Sequence, residues 1–328
     1  MARFLHVANG SSTTTTIRKA GIPGTLSHWA DVLTEGPVPA VPDEELLRIR
    51  ARQLAPDGDV GAFDGVVEEL RAWRAAIDND SAYDELILWY EHDLFDQLNL
   101  IQVLSRIGAR PTRKSVSLIC IGTFPGRPSF KGLGELTPGE LAPLLDVRQP
   151  VTAAQYSLAA RAWDAFRAPD PRRIEDLLRG DTSALPFLAP AFQRHLEEFP
   201  STVDGLSRTE RRVMELVAGG SRRIWDAFPL MHEGETAFYI TDGSFLAIVK
   251  DLSSGSQPLV TLVIEDEEEE RLPRGAIDMR ETGKRVLAGE IDRIVCCGID
   301  RWLGGVHLSD PRSIWRWDPA HGRLESSW

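Results

Sequence analysis

The stretch 85–104, which reads ELILWYEHDLFDQLNLIQVL, contains the clearest strand and helix signals in the sequence. Residues 85–90 form an apolar run with aromatic members that predicts a buried strand, and residues 95–108 place apolar side chains at helical spacing. A further buried strand is predicted at 114–122, KSVSLICIG. Because strand, helix and strand follow one another, the stretch predicts a crossover connection within a parallel sheet.

Four ionisable side chains separate the first of these strands from its helix: Glu91, His92, Asp93 and Asp96. The helix dipole favours a carboxylate at a helix N-terminus by about 0.3–1 kcal/mol, so N-capping accounts for one of them. Aromatic residues stand among the acids, and burial beside aromatic walls shifts the pKa of an ionisable group. The cluster therefore predicts an acid–base site with all four as candidate catalytic residues, and capping alone is the structural alternative.

A second polar segment follows the first predicted strand, RFLHVA at 3–8. Asn9 and Gly10 form a strong turn signal, and the tract SSTTTTIRKAG at 11–21 predicts a helix. In an open parallel sheet, ligands bind beyond the carboxyl ends of the strands, where helix N-termini offer free N–H groups. We therefore expect both loops to face one cleft, although the tract lacks the glycine patterns of dinucleotide-binding and Walker loops.

One mechanism for this cleft is acid–base catalysis. His92 or Glu91 is then the general acid or base and Asp93 orients it, while the amides of residues 9–12 hold an anionic part of the substrate. The alternative for the loop after the first strand is that a Ser/Thr-rich segment only caps a helix.

The second mechanism is metal-assisted. His92, Asp93 and Asp96 would bind a divalent metal that neutralises the acids and binds phosphate oxygens, joined by His6 or Asp31. A histidine within a strand is more often a core residue than a ligand. Acid–base catalysis ranks first, and apart from this metal the cofactor is unknown.

The residues predicted to bind substrate lie in the two loops, in the segment AGIPGTLSHWADVLTEGPVP at 20–39, or in the Gly- and Pro-rich loop at 122–136. The proline turn at 35–39 is predicted either as a wall of the cleft or as a rigid turn with no ligand. The candidates are Asn9, Gly10, Ser11, Ser12, Arg18, Trp29, Asp31, Glu35, Trp89, Gln97 and Glu135.

The C-terminal half predicts a different kind of domain. After a mostly helical region at 136–203, Ser207 and Glu210 form an S-x-x-E capping box ahead of an apolar-periodic helix. A second helix follows, and strand-like runs at 235–252 and 258–266 then suggest a hairpin. Two helices followed by a hairpin is the order of a winged helix.

Nucleic acid is a partner that the sequence allows without favouring. Acidic residues, including the run EDEEEE at 265–270, dilute the basic face, and the net charge of −12 opposes binding that depends on phosphate neutralisation. The run itself is predicted as a solvated edge or loop. The basic face would consist of Arg208, Arg211, Arg212, Arg222 and Arg223.

Length and composition place the chain among ordinary proteins of about two domains. No stretch resembles a signal peptide or the roughly 20 apolar residues of a membrane span, so we expect a cytoplasmic protein without a membrane partner. Cys120, Cys296 and Cys297 are too few for a disulfide framework and are predicted as core thiols.

Several motifs in order resemble the bacterial DUF1835 domain-containing family, whose activity is unknown. The resemblance covers nearly the whole chain and is strongest over residues 4–136. Family members usually read N-G-D-S after the first strand, whereas this chain has Ser11 in the third position. The matching motifs are LHVANGSS (5–12), 20–39, WYEHDLFDQLNLIQVL (89–104), GLGEL (132–136), LPFLAPAF (185–192), GLSRTE (205–210) and GIDRWLGGVHL (298–308).

These observations together predict an α/β chain with a Rossmann-like parallel-sheet domain at 1–135, a helical region at 136–203 and a winged-helix-like α+β domain at 204–328. The predicted function is an intracellular enzyme, a hydrolase or transferase, acting on a small anionic substrate such as a nucleotide or phosphate ester. The alternatives are a nucleic-acid-binding regulator and a non-catalytic ligand-binding module.

Overall fold

The structure is a computed structural model, and it describes residues 2–55, 59–110, 114–266, 272–312 and 314–327. Residues 267–270 of the acidic run, predicted as a solvated edge or loop, lie outside the described residues. Within the described ranges, no helix combines the length and the apolar character needed to cross a membrane.

The chain is mixed α/β. Its first elements are β1 (Phe4–Ala8), α1 (Ser11–Lys19), β2 (Thr25–His28), α2 (Asp43–Leu54), α3 (Val60–Asp78), β3 (Glu85–Glu91), α4 (Leu94–Gly108), β4 (Ser115–Ile121), α5 (Pro138–Leu141), β5 (Gln149–Pro150), α6 (Ala153–Phe166), α7 (Arg172–Leu178) and α8 (Leu188–Leu196). The later elements are α9 (Arg208–Ala218), α10 (Ile224–Met231), α11 (Asp242–Leu252), β6 (Val260–Asp266), β7 (Arg274–Met279), α12 (Glu281–Leu287), α13 (Arg293–Cys297), β8 (Arg301–Leu303), β9 (Val306–Leu308), β10 (Ile314–Asp318) and β11 (Arg323–Ser327).

The main sheet has five strands in the order β2-β1-β3-β4-β5. The first four are parallel, and β5 is a short antiparallel edge strand. Ala8, the last residue of β1, pairs with both His28 and Trp89. The predicted parallel sheet is therefore confirmed.

Strand β3 lies inside this sheet and is buried along almost its whole length. Its near-continuous apolar sequence fits this position, because inner strands of parallel sheets are covered on both faces. Helix α4, which follows β3, is also extensively buried and packs against α6. This burial places the polar residues at the β3–α4 junction inside the protein.

The chain divides into two compact units. Unit 1 comprises Met1–Phe192 with Trp302–Val306, and unit 2 comprises Gln193–Arg301 with His307–Trp328. The three-part division predicted from the sequence, with boundaries near residues 135 and 203, stays a prediction.

Unit 2 has a core formed by α9–α11 and the antiparallel pair β6–β7. The capping box of Ser207 and Glu210 is confirmed at the start of α9. The strand predicted at 235–252 is wrong, because Asp242–Leu252 is helix α11, capped by Thr241. Phe245, Val249 and Leu252 are buried at helical spacing, and this spacing outweighs their β-prone composition.

The sequence GKRVLAGEIDRIV at 283–295 predicts a helix followed by a strand, and the second part of this prediction is also wrong. Residues Glu281–Leu287 form α12, but Arg293–Cys297 form a second helix, α13. Asp292 caps α13 by accepting hydrogen bonds from the amides of Ile294 and Val295. The cap determines the local structure here despite the β-branched residues that follow it.

Candidate functional site

The carboxyl ends of β1 and β3 form the switch point of the parallel sheet. Strand β2 lies beside β1 on one side, and β4 lies beside β3 on the other. The chain therefore leaves β1 and β3 in opposite directions, an arrangement that opens a crevice at the strand ends. Both polar loops identified in the sequence, residues 9–12 and 91–96, start at this crevice.

The side chain of Asn9 joins the two loops. Its Nδ2 donates hydrogen bonds to Glu91 Oε1 at 2.9 Å and to Asp96 Oδ2 at 3.1 Å. Its Oδ1 accepts a hydrogen bond from Thr13 Oγ1 at 2.8 Å, which fixes the orientation of the amide. One neutral amide thus contacts two acidic side chains. None of these contacts supplies a cation that would balance the charge of the acids.

Both carboxyl groups are buried, and both bind protons more strongly than usual. Burial, followed by the charge of Asp93, raises the pKa of Glu91 to about 8. Burial and then the charges of Glu91 and Asp93 raise the pKa of Asp96 well above its ordinary value. With its pKa of about 8, Glu91 is mostly protonated at neutral pH, as a general acid requires.

Asp93 has a structural position at the start of α4. It is the N-cap residue, and its Oδ1 accepts a hydrogen bond from the amide of Asp96 at 2.9 Å. Asp96 in turn reaches back, and its Oδ1 accepts from the amide of Glu91 at 2.8 Å. Capping therefore accounts for Asp93, while Asp96 links the helix start to the end of β3.

The loop after β4 covers the acidic pair. The amide of Leu133 donates a hydrogen bond to Glu91 Oε1, and Ser12 Oγ donates to the carbonyl of Gly134 at 3.4 Å. Gly132 lies so close that a Cβ there would overlap Glu91 Oε2. A residue without a side chain is thus needed at this point of the loop.

His92 is half-buried between two aromatic rings. Its ring stacks on Phe130, with the centroids 6.5 Å apart, and meets Phe187 edge-on at 6.0 Å. Gly122 permits this packing, because a Cβ there would lie 2.9 Å from the Phe187 ring and 3.1 Å from His92 Cβ. The imidazole therefore sits in an aromatic setting at the edge of the same crevice.

Three predicted substrate-binding residues are buried and make contacts within the protein core. Trp29 is buried, and its Nε1 donates to Gln102 Oε1 at 2.6 Å. Trp89 is buried, and its Nε1 donates to His6 Nδ1 at 3.1 Å. Gln97 lies behind the acidic pair, where its Nε2 donates to the carbonyl of Glu91 at 2.6 Å.

The predicted binding residues Asp31 and Glu35 belong to a buried structural network. Both carboxylate oxygens of Asp31 accept from the guanidinium of Arg50, whose side chain is 0% exposed. Arg50 also donates to the carbonyls of Glu35 and Pro37. Arg50 thus holds the proline turn in place, so the turn fits the rigid alternative better than a binding wall.

Arg18 and Glu135 are exposed. Arg18 lies in the last turn of α1, at the opposite end of the helix from the crevice. Glu135 Oε2 accepts a hydrogen bond from the amide of Lys131 in its own loop. The structure therefore brings Asn9, Glu91 and Asp96 together and leaves Arg18 away from them.

Part of the site carries little signal in the sequence. Thr13, which orients Asn9, does not differ there from the other members of a Ser/Thr-rich helix start. The Leu133 amide and Gly132 are indicated only by the glycine-rich composition of 122–136. Phe130 and Phe187 lie far from His92 in sequence, so no local pattern indicates their contact.

The predicted metal site is not supported by the geometry. Within the described ranges, no three or more His, Cys, Asp or Glu side chains are grouped so that they could hold a metal ion. This finding includes His92, Asp93 and Asp96, the proposed ligand set. Asp93 instead faces the amide of Asp96.

Unit 2 contains a cavity of about 220 Å³ that four arginines help to line. Arg194, buried, contacts Glu235 at 2.8 Å, and Arg208 contacts Glu197 at 2.5 Å. Arg211 pairs with Asp204, a buried acid, and Arg212 donates to the carbonyl of Leu230 at 3.0 Å. Most of the positive charge is thus compensated within unit 2. The lining arginines are Arg194, Arg208, Arg211 and Arg212.

Comparison with known proteins adds no assignment to these residues. No protein-family model matches the chain, and no curated protein matches it. The residues around Asn9 are therefore interpreted from their contacts and their chemistry.

Proposed function

We propose that the chain is an enzyme that acts on a small anionic molecule, such as a phosphate ester, by acid–base hydrolysis or group transfer. The observation that supports this proposal most is the pair of hydrogen bonds from the Asn9 amide to the buried carboxyls of Glu91 and Asp96. These groups lie at the carboxyl ends of β1 and β3, where open α/β sheets bind their ligands.

Glu91 is the proton donor in this proposal. Below its raised pKa of about 8 the carboxyl carries a proton that can pass to a leaving oxygen. The Asn9 amide and the Leu133 N–H then stabilise the carboxylate that remains. His92, half-buried at the edge of the crevice, is the group that accepts a proton from the attacking water or hydroxyl.

The anionic part of the substrate would bind at the start of α1. Ser11 and Ser12 are exposed in the first turn of α1, and the structure describes every residue of this helix. Its N-cap residue is Gly10, so no side chain caps the helix, and its first turn contains no acidic residue. The backbone N–H groups of such a turn attract phosphate or carboxylate oxygens. Metal assistance has less support, because the acids that would bind the ion do not form a ligand group in the described parts of the chain.

We also propose the finer fold classes. The parallel order β2-β1-β3-β4 supports a Rossmann-like unit 1. A winged helix in unit 2 is supported by the succession of α9, a bridge between Arg223 and Ala276, α10, α11 and the pair β6–β7. Membership of the DUF1835 family rests on the sequence motifs, and a cytoplasmic location stays part of the proposal.

A non-catalytic ligand-binding module is the second candidate. One observation favours it: Glu91, Asp93 and Asp96 each accept hydrogen bonds from Asn9 or from backbone amides. Such a satisfied network can also serve only to join β1, β3 and α4. The two candidates differ in whether the chain turns over a substrate with the proton of Glu91 or only binds an anion.

The test is a hydrolysis assay of the full chain with p-nitrophenyl phosphate, bis(p-nitrophenyl) phosphate and nucleoside triphosphates. Glu91→Gln keeps the size of the side chain but removes its proton transfer, and we expect it to lower turnover by about 10²–10⁴-fold. Asn9→Ala should also lower turnover. Glu68→Gln, which changes an exposed acid on α3, is the matched control and should behave as the unchanged chain does.

Melting temperatures measured on the same variants separate the two candidates. Loss of turnover in Glu91→Gln with a melting temperature close to that of the unchanged chain supports the enzyme. Anion binding without turnover, combined with unchanged binding in Glu91→Gln, would instead support the non-catalytic module.

A further inference from the structure

Unit 2 carries two adjacent thiols at the end of α13. The Sγ atoms of Cys296 and Cys297 lie 3.0 Å apart. Cys297 is exposed, and Cys296 is half-buried against the core of unit 2. Gly298, with a φ of 77°, ends the helix directly after them. The pair is thus both close together and reachable from solvent.

The helix that presents these thiols is firmly held. Asp292 caps it and contacts the guanidinium of Arg316 at 2.6 Å. Arg293, nearly buried, contacts Asp251 at 2.6 Å and Glu210 at 3.2 Å. Because this network fixes α13, little conformational freedom is lost when both sulfur atoms bind one centre.

The protonation of Cys297 selects among thiol reactions. Partial burial of the sulfur, followed by its hydrogen bond with Cys296, raises the pKa of Cys297 to about 12. Thiol–disulfide exchange requires a thiolate, so this sulfur exchanges slowly at neutral pH. A condensation in which each thiol proton combines with a leaving hydroxide to form water does not require a thiolate.

The spacing of the sulfur atoms narrows the choice of ligand further. A tetrahedral zinc ion with Zn–S bonds of about 2.3 Å would hold two sulfurs about 3.8 Å apart and would need further ligands. No group of three His, Cys, Asp or Glu side chains suited to a metal occurs in the part of the chain that the structure describes. A disulfide needs about 2.05 Å between the sulfurs, and adjacent helical residues do not reach this geometry without backbone movement.

We propose that Cys296 and Cys297 form a bidentate site for a trivalent arsenical. An organoarsenous acid, R–As(OH)₂, condenses with both thiols. Two As–S bonds form, two As–O bonds break, and each hydroxide leaves with a thiol proton as water, so that no electrons are transferred. The pyramidal arsenic keeps its carbon as the third bond and needs no other protein ligand.

The probe is phenylarsine oxide, which is hydrated to this acid in water, and the readout is intact mass spectrometry of the full chain under native conditions. We expect one adduct per chain that resists dilution and a monothiol but is removed by 2,3-dimercaptopropanol. Cys296→Ser and Cys297→Ser should each retain the probe at least about a hundredfold more weakly, because a single As–S bond lacks the second, intramolecular one.

Cys120→Ser is the control, because this half-buried thiol lies in unit 1, where its Sγ donates to the carbonyl of Glu91. The control should keep the adduct. Failure of the unchanged chain to retain the probe, or retention by Cys297→Ser at the level of the unchanged chain, would overturn the proposal. Cys297 is exposed, so its serine variant is expected to fold normally.

Discussion

At the scale of single residues, Asn9 determines the character of the site. Its amide contacts two buried carboxyls that belong to a different loop. Burial and mutual charge favour the protonated carboxyls, whereas the amide hydrogens favour the ionised form. Asn9 thus allows one carboxyl to lose its proton without a cation beside it, which a proton-donating site requires.

The pH dependence of stability should reveal the raised pKa of Glu91. Between its ordinary value of 4.5 and about 8, the folded chain binds this proton more tightly than the unfolded chain does. The stabilisation is full below pH 4.5 and is lost as the pH rises through about 8. We therefore expect the free energy of unfolding to fall between pH 5 and pH 8, and to fall by roughly 2–4 kcal/mol less in Glu91→Gln.

Urea unfolding at the two pH values measures this difference. Glu68→Gln, on the exposed face of α3, is the control and should follow the unchanged chain. An equal loss of stability in Glu91→Gln and in the unchanged chain would show that Glu91 has an ordinary pKa.

Residue patterns in the sequence predicted some of these contacts and gave no sign of others. A cap for α4 among the acids at 91–96 was predictable, because capping is a local interaction between neighbours in the chain. The contact of Asn9 with Glu91 joins residues 82 positions apart and depends on the pairing of β1 with β3. The sequence predicted Asp31 as a substrate contact, and no local pattern indicates its buried ion pair with Arg50.

At the scale of elements, variants of Asp93 at the start of α4 distinguish the effect of its charge from the effect of its capping hydrogen bond. Asparagine caps helices as well as aspartate does, whereas alanine does not. We expect Asp93→Asn to leave the free energy of unfolding nearly unchanged and Asp93→Ala to lower it by about 1 kcal/mol, as measured by urea unfolding. Equal losses in the two variants would mean that the charge of Asp93, rather than its hydrogen bond to the Asp96 amide, stabilises the helix.

The turn between β2 and α2 depends on the ion pair of Asp31 and Arg50. Replacing Asp31 with Asn leaves a buried guanidinium without its carboxylate. Because an uncompensated buried charge is costly, we expect Asp31→Asn to lower the free energy of unfolding by about 3–5 kcal/mol. Thermal and urea unfolding measure the loss.

Asp84→Asn is the control for this prediction. Asp84 also pairs with an arginine, Arg3, but both side chains are about half exposed, at 44% and 54%. Exposed ion pairs contribute little to stability, so this variant should unfold much as the unchanged chain does. A similarly small effect in Asp31→Asn would contradict a structural role for Asp31 and favour its predicted role in substrate binding.

Helix α11 shows why some elements were not predictable. Its sequence, DGSFLAIVKDL, contains the aromatic and β-branched residues that favour strands. Its buried face comprises Phe245, Val249 and Leu252, which pack into the core of unit 2. Tertiary packing therefore determines the helix, and the hairpin consists instead of β6 and β7. In β3 and α4, by contrast, length and periodicity agreed with the packing, and the sequence was sufficient.

At the scale of the whole molecule, the order of the strands brings motifs that are far apart in the sequence together in one site. The loops after β1 and β3 meet because these strands are neighbours, although α1, β2, α2 and α3 lie between them in the chain. The loop after β4 joins them because β4 is the next strand. Sequence predicted that the sheet is parallel, but the neighbours of each strand follow from packing over the full length of unit 1.

The charge distribution of the whole chain leads to a prediction about nucleic acid. The net charge is −12, and the arginines proposed as a basic face are largely compensated, as in the contact of Arg222 with Asp278 at 3.2 Å. Arg208 contacts Glu197 and Arg211 pairs with Asp204. Binding to phosphates releases counterions only where free cations are clustered. We therefore expect no salt-dependent binding of single-stranded or duplex oligonucleotides in fluorescence anisotropy titrations at about 50–200 mM salt.

A double variant tests whether compensation is the cause. Glu197→Gln with Asp204→Asn removes the nearest acid of Arg208 and of Arg211 and leaves their longer contacts, with Glu235 at 3.5 Å and Glu215 at 3.9 Å. Glu281→Gln with Glu290→Gln is the control of equal charge, since it alters exposed ion pairs on and beside α12. If compensation suppresses binding, the first variant should bind oligonucleotides more tightly than the second, with an affinity that falls as salt rises. Salt-dependent binding by the unchanged chain, with a slope that corresponds to several phosphates, would instead favour a nucleic-acid-binding regulator, because only uncompensated cations on the surface produce such a slope.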